Sequence, residues 1–172
     1  MVVADVARRP ASDALVLFGA TGDLARKKIF PAVYAMQRDG RADMSIIGVA
    51  SSDLSDDDLR QRAHDAVVES VGDDFDSAAW DDLAPRLSYV SGDYREASTF
   101  AALADRLKGV DRPLFYLAIP PVMYDEVVDG LAVPIVGGIV KLDIRARYEY
   151  ADIDELSASN AATVRTRLGY GT

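Results

Sequence analysis

Short apolar runs alternate with amphipathic stretches along the first three quarters of the chain. Four mainly apolar runs are typical of buried parallel strands, at residues 14–18, 44–50, 87–90 and 113–119. The stretches between and after them predict helices, at residues 24–38, 55–71, 77–83, 98–108 and 121–131. Strands that alternate with helices form right-handed crossovers around a parallel sheet. We therefore predict an α/β fold with a Rossmann-like, doubly wound parallel sheet.

Several helix ends are marked by residues with a specific physical role. Ser55 and Asp58 have the spacing of a capping box, which satisfies free N–H groups where a helix begins. Pro31 predicts a kink or a helix in two parts, because proline has no N–H to donate. Pro85 ends the helix before it, and Pro121 suits the first position of the next helix.

The pattern changes near Ala132. From Ile139 to Tyr150 apolar and polar residues alternate, which predicts one half-buried amphipathic strand of the antiparallel type. Residues 157–168 predict a short helix that Gly169 ends. We therefore expect three regions, a loose N-terminal leader at 1–13, a main domain at 14–131 and a divergent C-terminal segment at 132–172.

Composition limits the classes of function. The chain has 172 residues, 49% of them hydrophobic, which suits one globular domain with its own core. A net charge of −9 argues against nucleic acid and anionic membranes as partners. The sequence has no cysteine and no apolar run that could span a bilayer. We expect a cytoplasmic protein, since the absence of cysteine is consistent with a reducing compartment.

Two glycines lie between the first predicted strand and the first predicted helix. The strand leads into Gly19, Gly22 follows in a tight turn, and the helix opens with Asp23. Unpaired N–H groups and the dipole at a helix start attract phosphate, and glycines let the backbone approach a pyrophosphate. The spacing G-x-x-G-x-x-A, completed by Ala25, is a variant of the dinucleotide fingerprint. It favours a dinucleotide site over an ordinary turn whose glycines serve geometry alone.

Residues 14–131 resemble the N-terminal coenzyme domain of glucose-6-phosphate dehydrogenase. Three blocks carry the resemblance, at residues 17–31 (LFGATGDLARKKIFP), 89–94 (YVSGDY) and 115–124 (FYLAIPPVMY). For a complete member, the resemblance implies an oxidoreductase of the pentose phosphate pathway that converts glucose 6-phosphate to 6-phosphogluconolactone with NADP or NAD.

The resemblance also implies which residues contact the coenzyme. Its phosphates would be wrapped by one continuous segment, Gly19, Ala20, Thr21, Gly22, Asp23, Leu24, Ala25 and Arg26. Lys28 would lie where nicotinamide and sugar meet, and the sheet edge beside the coenzyme would carry Ala118, Pro120, Pro121 and Tyr124. From spacing alone, Tyr124 is equally a packed helix residue, and the cluster Arg26–Lys28 is equally a solvated helix face.

The chain departs from the family pattern at the coenzyme 2′-phosphate. Members that use NADP carry an arginine after the second strand, where this chain has Ser51, Ser52 and Asp53. Serine donates a hydrogen bond to phosphate but does not neutralise it. Asp53 would favour a ribose 2′-hydroxyl, or it is only a loop residue before the Ser55 cap. The choice between NAD and NADP therefore stays open at this point.

The chain also lacks the sequence blocks that carry the family's substrate-binding and catalytic residues. Neither the E-K-P-F-G block with the substrate lysine nor the R-I-D-H-Y-L-G-K block with its histidine occurs. The single histidine, His64, falls in a helix after the second strand and reads as a surface residue, and Lys141 reads as an exposed strand lysine. We expect NAD(P) binding without catalysis by this chain alone, with glucose 6-phosphate a ligand of a complete enzyme only.

Two other hypotheses concern the C-terminal segment and the acidic clusters. The strand near 139–150 could pair with a partner edge, which would make the chain a non-catalytic interaction module or a homo-oligomer. Alternatively, residues 132–172 are a non-native tail from a gene fragment or frameshift. The acids at 56–58 and 73–76 read as solvated helix starts, and no metal site is predicted.

Overall fold

The computed structural model describes residues 12–132 in full, together with the backbone of two further strands. The strands are β1 (Ala14–Phe18), β2 (Ser45–Ala50), β3 (Leu87–Ser91), β4 (Pro113–Leu117), β5 (Val140–Tyr150) and β6 (Asn160–Tyr170). The α-helices are α1 (Phe30–Arg38), α2 (Asp56–Val71), α3 (Ser77–Leu83), α4 (Ala97–Arg106) and α5 (Tyr124–Ala132). Short 3-10 turns lie at Gly72–Asp74, Ala84–Arg86 and Pro121–Met123.

The strands form one six-stranded sheet in the order β3-β2-β1-β4-β6-β5. The first four are parallel, with Leu15 of β1 opposite Ile46 of β2 and Leu114 of β4. β6 runs antiparallel to both β4 and β5. The predicted α/β fold with a parallel Rossmann-like sheet is therefore confirmed.

Helices cover both faces of the parallel strands. β1 is buried along its whole length, and its side chains alternate between two apolar cores. Leu15 and Leu17 face the core under α1, α2 and α3, whereas Val16 and Phe18 face the core under α4 and α5. The apolar faces of α2 and α4 are buried, together with the residue that follows α4, at Leu59, Ala63, Ala66, Val67, Phe100, Leu103 and Leu107.

Local sequence signals set the helix boundaries. The first helix has two parts, as Pro31 predicted, with a π-helical turn at Ala25–Ile29 that leads into α1. The capping box of α2 is present, since Asp58 N donates to Ser55 Oγ at 3.2 Å and Ser55 N donates to Asp58 Oδ2 at 2.9 Å.

The predicted helix at 157–168 is wrong. Residues 160–170 form strand β6, and Gly169 lies inside this strand rather than after a helix. β6 pairs with β5 along its full length, from Val140 opposite Tyr170 to Tyr150 opposite Asn160. Its β-branched residues Thr163, Val164 and Thr166 favour an extended backbone, and long-range pairing outweighs local helix propensity. The C-terminal segment therefore contains two strands where one was predicted.

Other predictions for the chain ends meet the structure only in part. The antiparallel strand predicted from Ile139 is observed from Val140, and Ile139 lies outside the described residues. Most of the predicted leader lies outside them too, but Asp13 is tied to the sheet because its carboxylate accepts from the N–H groups of Asp111 and Arg112. The boundary near 131 stays a prediction. No helix within the described part of the chain is long and apolar enough to cross a membrane.

Candidate functional site

The site predicted from the glycines lies at the carboxyl ends of β1, β2 and β4. β1 is the central strand of these three. The chain leaves β1 toward the face covered by α1, and it leaves β4 toward the opposite face covered by α5. Such a divergence opens a crevice between the two strand ends, which is where ligands bind in open α/β sheets.

Gly19 is confined where β1 passes into residues 19–22, which we call the glycine turn. Its φ of +79° is a conformation that residues with a side chain rarely adopt. A Cβ at this position would lie 2.2 Å from the carbonyl oxygen of Ala118, the residue after β4. The adjacent strands are held together here, since Ala118 N donates to the Phe18 carbonyl at 2.9 Å. Only glycine therefore fits at this point of the crevice.

Several backbone N–H groups in and just after the glycine turn are not used in hydrogen bonds to the backbone of residues 12–132. Gly22 N donates to the Gly19 carbonyl at 2.9 Å, which closes the turn. Among residues 12–132, the N–H groups of Thr21, Asp23 and Leu24 have no backbone acceptor. Ala20 and Ala25 are buried, so the helix packs closely on the strands as the fingerprint requires. Unpaired donors at a helix start suit an anion.

The basic cluster after the turn contributes less charge than its sequence implies. Lys27 Nζ lies 2.9 Å from Asp23 Oδ2, and Arg26 is paired with Glu69 of α2 at 2.6 Å. The hydrogen bond from Lys27 holds the pKa of Asp23 below its usual range. Lys28 is exposed and has no ion-pair partner within residues 12–132. The side chain of Arg26 is thus turned toward α2, whereas Lys28 makes no such pair with the residues that the structure describes in full.

The loop after β2 lies against the glycine turn. Ser52 Oγ is 3.3 Å from Thr21 Oγ1, and the Ser52 carbonyl accepts from Tyr89 Oη at 2.8 Å and Ser91 Oγ at 3.0 Å. Burial, with a contribution from Tyr94, raises the pKa of Tyr89 to about 12, so its hydroxyl remains a donor at neutral pH. Ser51 is exposed beside this fixed loop.

The predicted residues after β4 lie in three different environments. Ala118 contacts the glycine turn through Gly19, as described above. Pro120 and Pro121 are exposed at the start of the segment that leads to α5. Tyr124 is half-buried against the core on the α4 and α5 face, and burial raises its pKa, as does the neighbouring Tyr116. Tyr124 is therefore at least partly a packed helix residue.

Sequence reasoning missed the function of two tyrosine hydroxyls. Tyr89 and Tyr94 served only as markers of the family resemblance, yet Tyr89 holds the loop after β2 and Tyr94 contacts the glycine turn itself. Gly19 N lies 2.9 Å from Tyr94 Oη. The available signal was a tyrosine in and just after a mainly apolar strand, because a buried hydroxyl needs a polar partner.

His64 takes part in packing. Its ring makes edge-to-face contacts with Phe75 and Trp80 at centroid distances of 5.2 and 5.1 Å. Its Nδ1 lies 3.4 Å from Asp65 Oδ1, and its side chain is 35% exposed. No group of three or more metal-ligating side chains occurs in the described part of the chain. The carboxylates of Asp56, Asp57 and Asp58 each accept a hydrogen bond, from Tyr89 N, Arg60 Nη1 and Ser55 respectively.

Comparisons with known proteins bear on this site. The family model described as "Glucose-6-phosphate dehydrogenase, NAD binding domain" matches residues 16–147. Glucose-6-phosphate 1-dehydrogenase 1 of Mycobacterium tuberculosis is 42% identical over 122 residues, which cover 71% of this chain and 26% of the relative. Glucose-6-phosphate 1-dehydrogenase 2 of the same organism is 38% identical over 126 residues, covering 68% and 24%.

Solved structures of glucose-6-phosphate dehydrogenases are also similar to this chain. A crystal structure of glucose-6-phosphate 1-dehydrogenase from Mycobacterium avium superposes with a TM-score of 0.66 at 44% identity and covers 71% of this chain. A glucose-6-phosphate dehydrogenase in complex with its substrate glucose-6-phosphate superposes with a TM-score of 0.62 at 31% identity, over 72% of this chain. The matched parts are 27% and 28% of those chains. This chain thus spans about a quarter of the length of these relatives.

Proposed function

This chain belongs to the family of glucose-6-phosphate dehydrogenase NAD binding domains, and from that premise we propose that it binds a nicotinamide dinucleotide at the glycine turn. The proposal rests on the N–H groups of Thr21, Asp23 and Leu24, which have no backbone acceptor among the fully described residues and lie at the crevice between β1 and β4. Such donors suit the pyrophosphate of a dinucleotide.

The other predicted residues would contact the two ends of the coenzyme, on either side of its phosphates. Ser51 would face the ribose of the adenosine half, because the loop after β2 lies against Thr21. Lys28 is exposed and, unlike Arg26 and Lys27, has no ion pair among residues 12–132. We assign it to the nicotinamide end near the substrate. The exposed Pro120 and Pro121 would border the nicotinamide, with Tyr124 behind them.

We propose that NAD binds at least as well as NADP. The loop of residues 51–55 contains no arginine or lysine, so a 2′-phosphate there would meet serine hydroxyls and the carboxylate of Asp53. Arg26, the nearest basic residue in the sequence to the glycine turn, is paired with Glu69. A 2′-phosphate without a guanidinium partner keeps its charge uncompensated, whereas a 2′-hydroxyl needs only a hydrogen bond.

We propose further that this chain alone does not oxidise glucose 6-phosphate. Hydride transfer from a sugar hydroxyl needs a general base within hydrogen-bond reach of that hydroxyl. The only histidine of the sequence packs on Phe75 and Trp80. The sequence also lacks the lysine and histidine blocks that a complete family member carries.

The test is a fluorescence titration of the full chain with NADH and with NADPH, followed by an assay for NAD(P)H formation from glucose 6-phosphate. We expect saturable binding of both coenzymes, with NADH at least as tight, and no substrate-dependent reduction. If neither NADH nor NADPH binds, the proposed coenzyme site is contradicted. Steady formation of NAD(P)H contradicts the proposed loss of catalysis but not the site.

A second candidate function, association through the sheet edge, rests on the sheet order. β5 is the last strand of the sheet, with β6 as its one partner in the described strands, so its outer edge offers backbone donors and acceptors to another chain. Light scattering after size exclusion would show a dimer if strands add at this edge. A monomer at high protein concentration contradicts this candidate.

A further inference from the structure

We propose that Tyr94 is a positioning residue of the coenzyme site, whose buried hydroxyl fixes the glycine turn in its anion-binding form. This inference rests on the proposed coenzyme binding and assigns a role to a residue that does not itself face the ligand. The hydroxyl joins the first residue of the turn to the end of β2, so it acts on the coenzyme through Gly19.

Three polar atoms form a closed triangle beneath the turn. Tyr94 Oη is 2.9 Å from Gly19 N and 3.0 Å from the Val49 carbonyl, and Gly19 N is 2.9 Å from the same carbonyl. The Gly19 N–H therefore donates to both oxygens, while the Tyr94 hydroxyl donates to Val49. Tyr94 is only 6% exposed, and burial raises the pKa of its hydroxyl, so the proton is retained at neutral pH.

The segment after β3 holds the tyrosine in place. Its ring packs edge-to-face on Phe18, the last residue of β1, at a centroid distance of 5.5 Å. Gly92 N donates to the Ala50 carbonyl at 3.0 Å, and Thr99 Oγ1 donates to the Asp93 carbonyl at 2.7 Å. A Cβ on Gly92 would lie 2.1 Å from Thr99 Oγ1. These contacts of residues 91–94 thus position the Tyr94 hydroxyl beside Gly19.

Gly19 is anchored on both sides, through its N–H and through its carbonyl, and this anchoring would keep the other N–H groups of the turn aligned for a ligand. With its N–H held inward by Tyr94 and Val49, the Gly19 carbonyl accepts from Gly22 and closes the turn. The donors of Thr21 and Asp23 then remain available. Without the hydroxyl, Gly19 keeps only the Val49 carbonyl, and the turn samples orientations in which these donors are not aligned. Preorganised donors bind an anion more tightly than mobile ones.

The test compares Tyr94→Phe with Tyr34→Phe in the full chain. Tyr34 is a matched control, because its buried hydroxyl also lies between a backbone donor and a backbone acceptor, at 2.6 Å from Asp76 N and 3.2 Å from the Asp76 carbonyl. These bonds join α1 to the start of α3 and do not involve the glycine turn. Both substitutions keep the ring and remove one hydroxyl, so both should lower the Tm by similar amounts.

We expect Tyr94→Phe to raise the Kd for NADH about fivefold, or about 1 kcal/mol, and Tyr34→Phe to change it less than twofold. Equal Kd values for wild type and Tyr94→Phe would overturn the positioning role while leaving the coenzyme site intact. Failure of the wild-type chain to bind NADH would overturn both proposals, so the two failures are distinguishable.

Thr99→Val provides a second measurement that a merely structural effect would not reproduce. It removes the bond to the Asp93 carbonyl with little change of volume, and we expect a rise of about twofold in Kd. If both residues act through the same hydroxyl, the Kd of the double variant should be close to that of Tyr94→Phe alone. If the fold-changes in Kd of the two single variants instead multiply in the double variant, Thr99 does not act through the Tyr94 hydroxyl.

Discussion

Gly19 shows how one residue can be limited both by backbone conformation and by space. Gly40 has a similar positive φ, +66° against +79°, but a Cβ there would meet nothing within 4 Å. The two glycines therefore separate conformational strain from a clash. A left-handed alanine costs about 1–2 kcal/mol on its own. At Gly19 the strand of Ala118 would have to move as well.

Gly19→Ala should raise the Kd for NADH more than tenfold and lower the free energy of unfolding by more than about 2 kcal/mol. Gly40→Ala should cost only about 1 kcal/mol of stability and leave the Kd unchanged. Urea unfolding and NADH titration check both. Unchanged NADH affinity in a folded Gly19→Ala chain would contradict the placement of the coenzyme at this turn.

Under the proposed coenzyme binding, we expect Ser51 to be a residue at which the preference between NAD and NADP can be changed. It is exposed on the loop that Tyr89 and Ser91 hold beside Thr21. Ser51→Arg should lower the Kd for NADPH about tenfold through charge-assisted hydrogen bonds to the 2′-phosphate, with less than a twofold change for NADH. Ala102→Arg, which adds the same charge on the exposed side of α4, should alter neither Kd. An equal gain for both coenzymes would indicate a general charge effect.

At the scale of elements, charged side chains close the outer edge of β3. Tyr89 N donates to Asp56 Oδ1 at 2.7 Å, and the carbonyls of Tyr89 and Leu87 accept from Arg106 and Arg60 at 3.4 and 3.1 Å. These side chains take the place of a neighbouring strand. An edge whose donors and acceptors are occupied does not template another chain. Association by strand addition is therefore disfavoured at β3.

Asp56 makes the stability of the β3 edge depend on pH. Burial alone would raise the pKa of its carboxyl, but the Tyr89 N–H and the Arg106 guanidinium outweigh burial and hold that pKa below its usual range. Because the native pKa is lowered, the stabilisation is complete above the unfolded pKa of about 3.9 and is lost as the pH falls through the native value.

Asp56→Asn should therefore lower the free energy of unfolding by about 1 kcal/mol at pH 7, because the ion pair with Arg106 is lost, and the difference from wild type should shrink below about pH 4. Asp57→Asn is the control, since its exposed pair with Arg60 should contribute less than about 0.5 kcal/mol. Urea unfolding across this pH range measures both. A constant difference down to pH 3 would contradict the role of the ionised carboxylate.

At the scale of the whole molecule, the crevice between β1 and β4 joins parts that are distant in sequence. Gly19, Val49, Tyr94 and Ala118 come from the ends of four strands or the loops after them, and they meet within hydrogen-bond or van der Waals distance. Coenzyme binding should therefore stabilise the parallel sheet as a unit rather than the glycine turn alone.

NADH at about 100 times its Kd should stabilise the chain by about 2.7 kcal/mol, with a Tm that continues to rise with NADH concentration. Thermal unfolding with increasing NADH measures this effect. Gly19→Ala is the control, and at the same NADH concentration its stabilisation should be clearly smaller, below about 1.4 kcal/mol, because its Kd is raised more than tenfold. A wild-type Tm independent of NADH would contradict binding to the native state. Glucose 6-phosphate alone should leave the Tm unchanged, because this chain lacks the family's substrate blocks.

Local signals predicted most of the parallel half of the fold. Ser55, Pro31 and Pro85 act within a few residues of themselves, so their effects on helix boundaries can be read without knowing the fold. The same local approach was wrong for residues 157–168. There the conformation depends on pairing with β5 and β4, whose partners lie up to about fifty residues away along the chain.

The sequence alone was enough to predict the succession of strands and helices along the chain, the glycine turn and the family resemblance. Apolar periodicity, capping and glycine spacing are local properties, so they can be read without the fold. Packing between distant elements sets which groups of the site remain available. It paired Arg26 with Glu69, and it placed the Tyr94 hydroxyl beneath Gly19. The two members of these contacts are separated by 43 and by 75 positions in the sequence. Such contacts depend on how helices and strands pack, which no local pattern encodes.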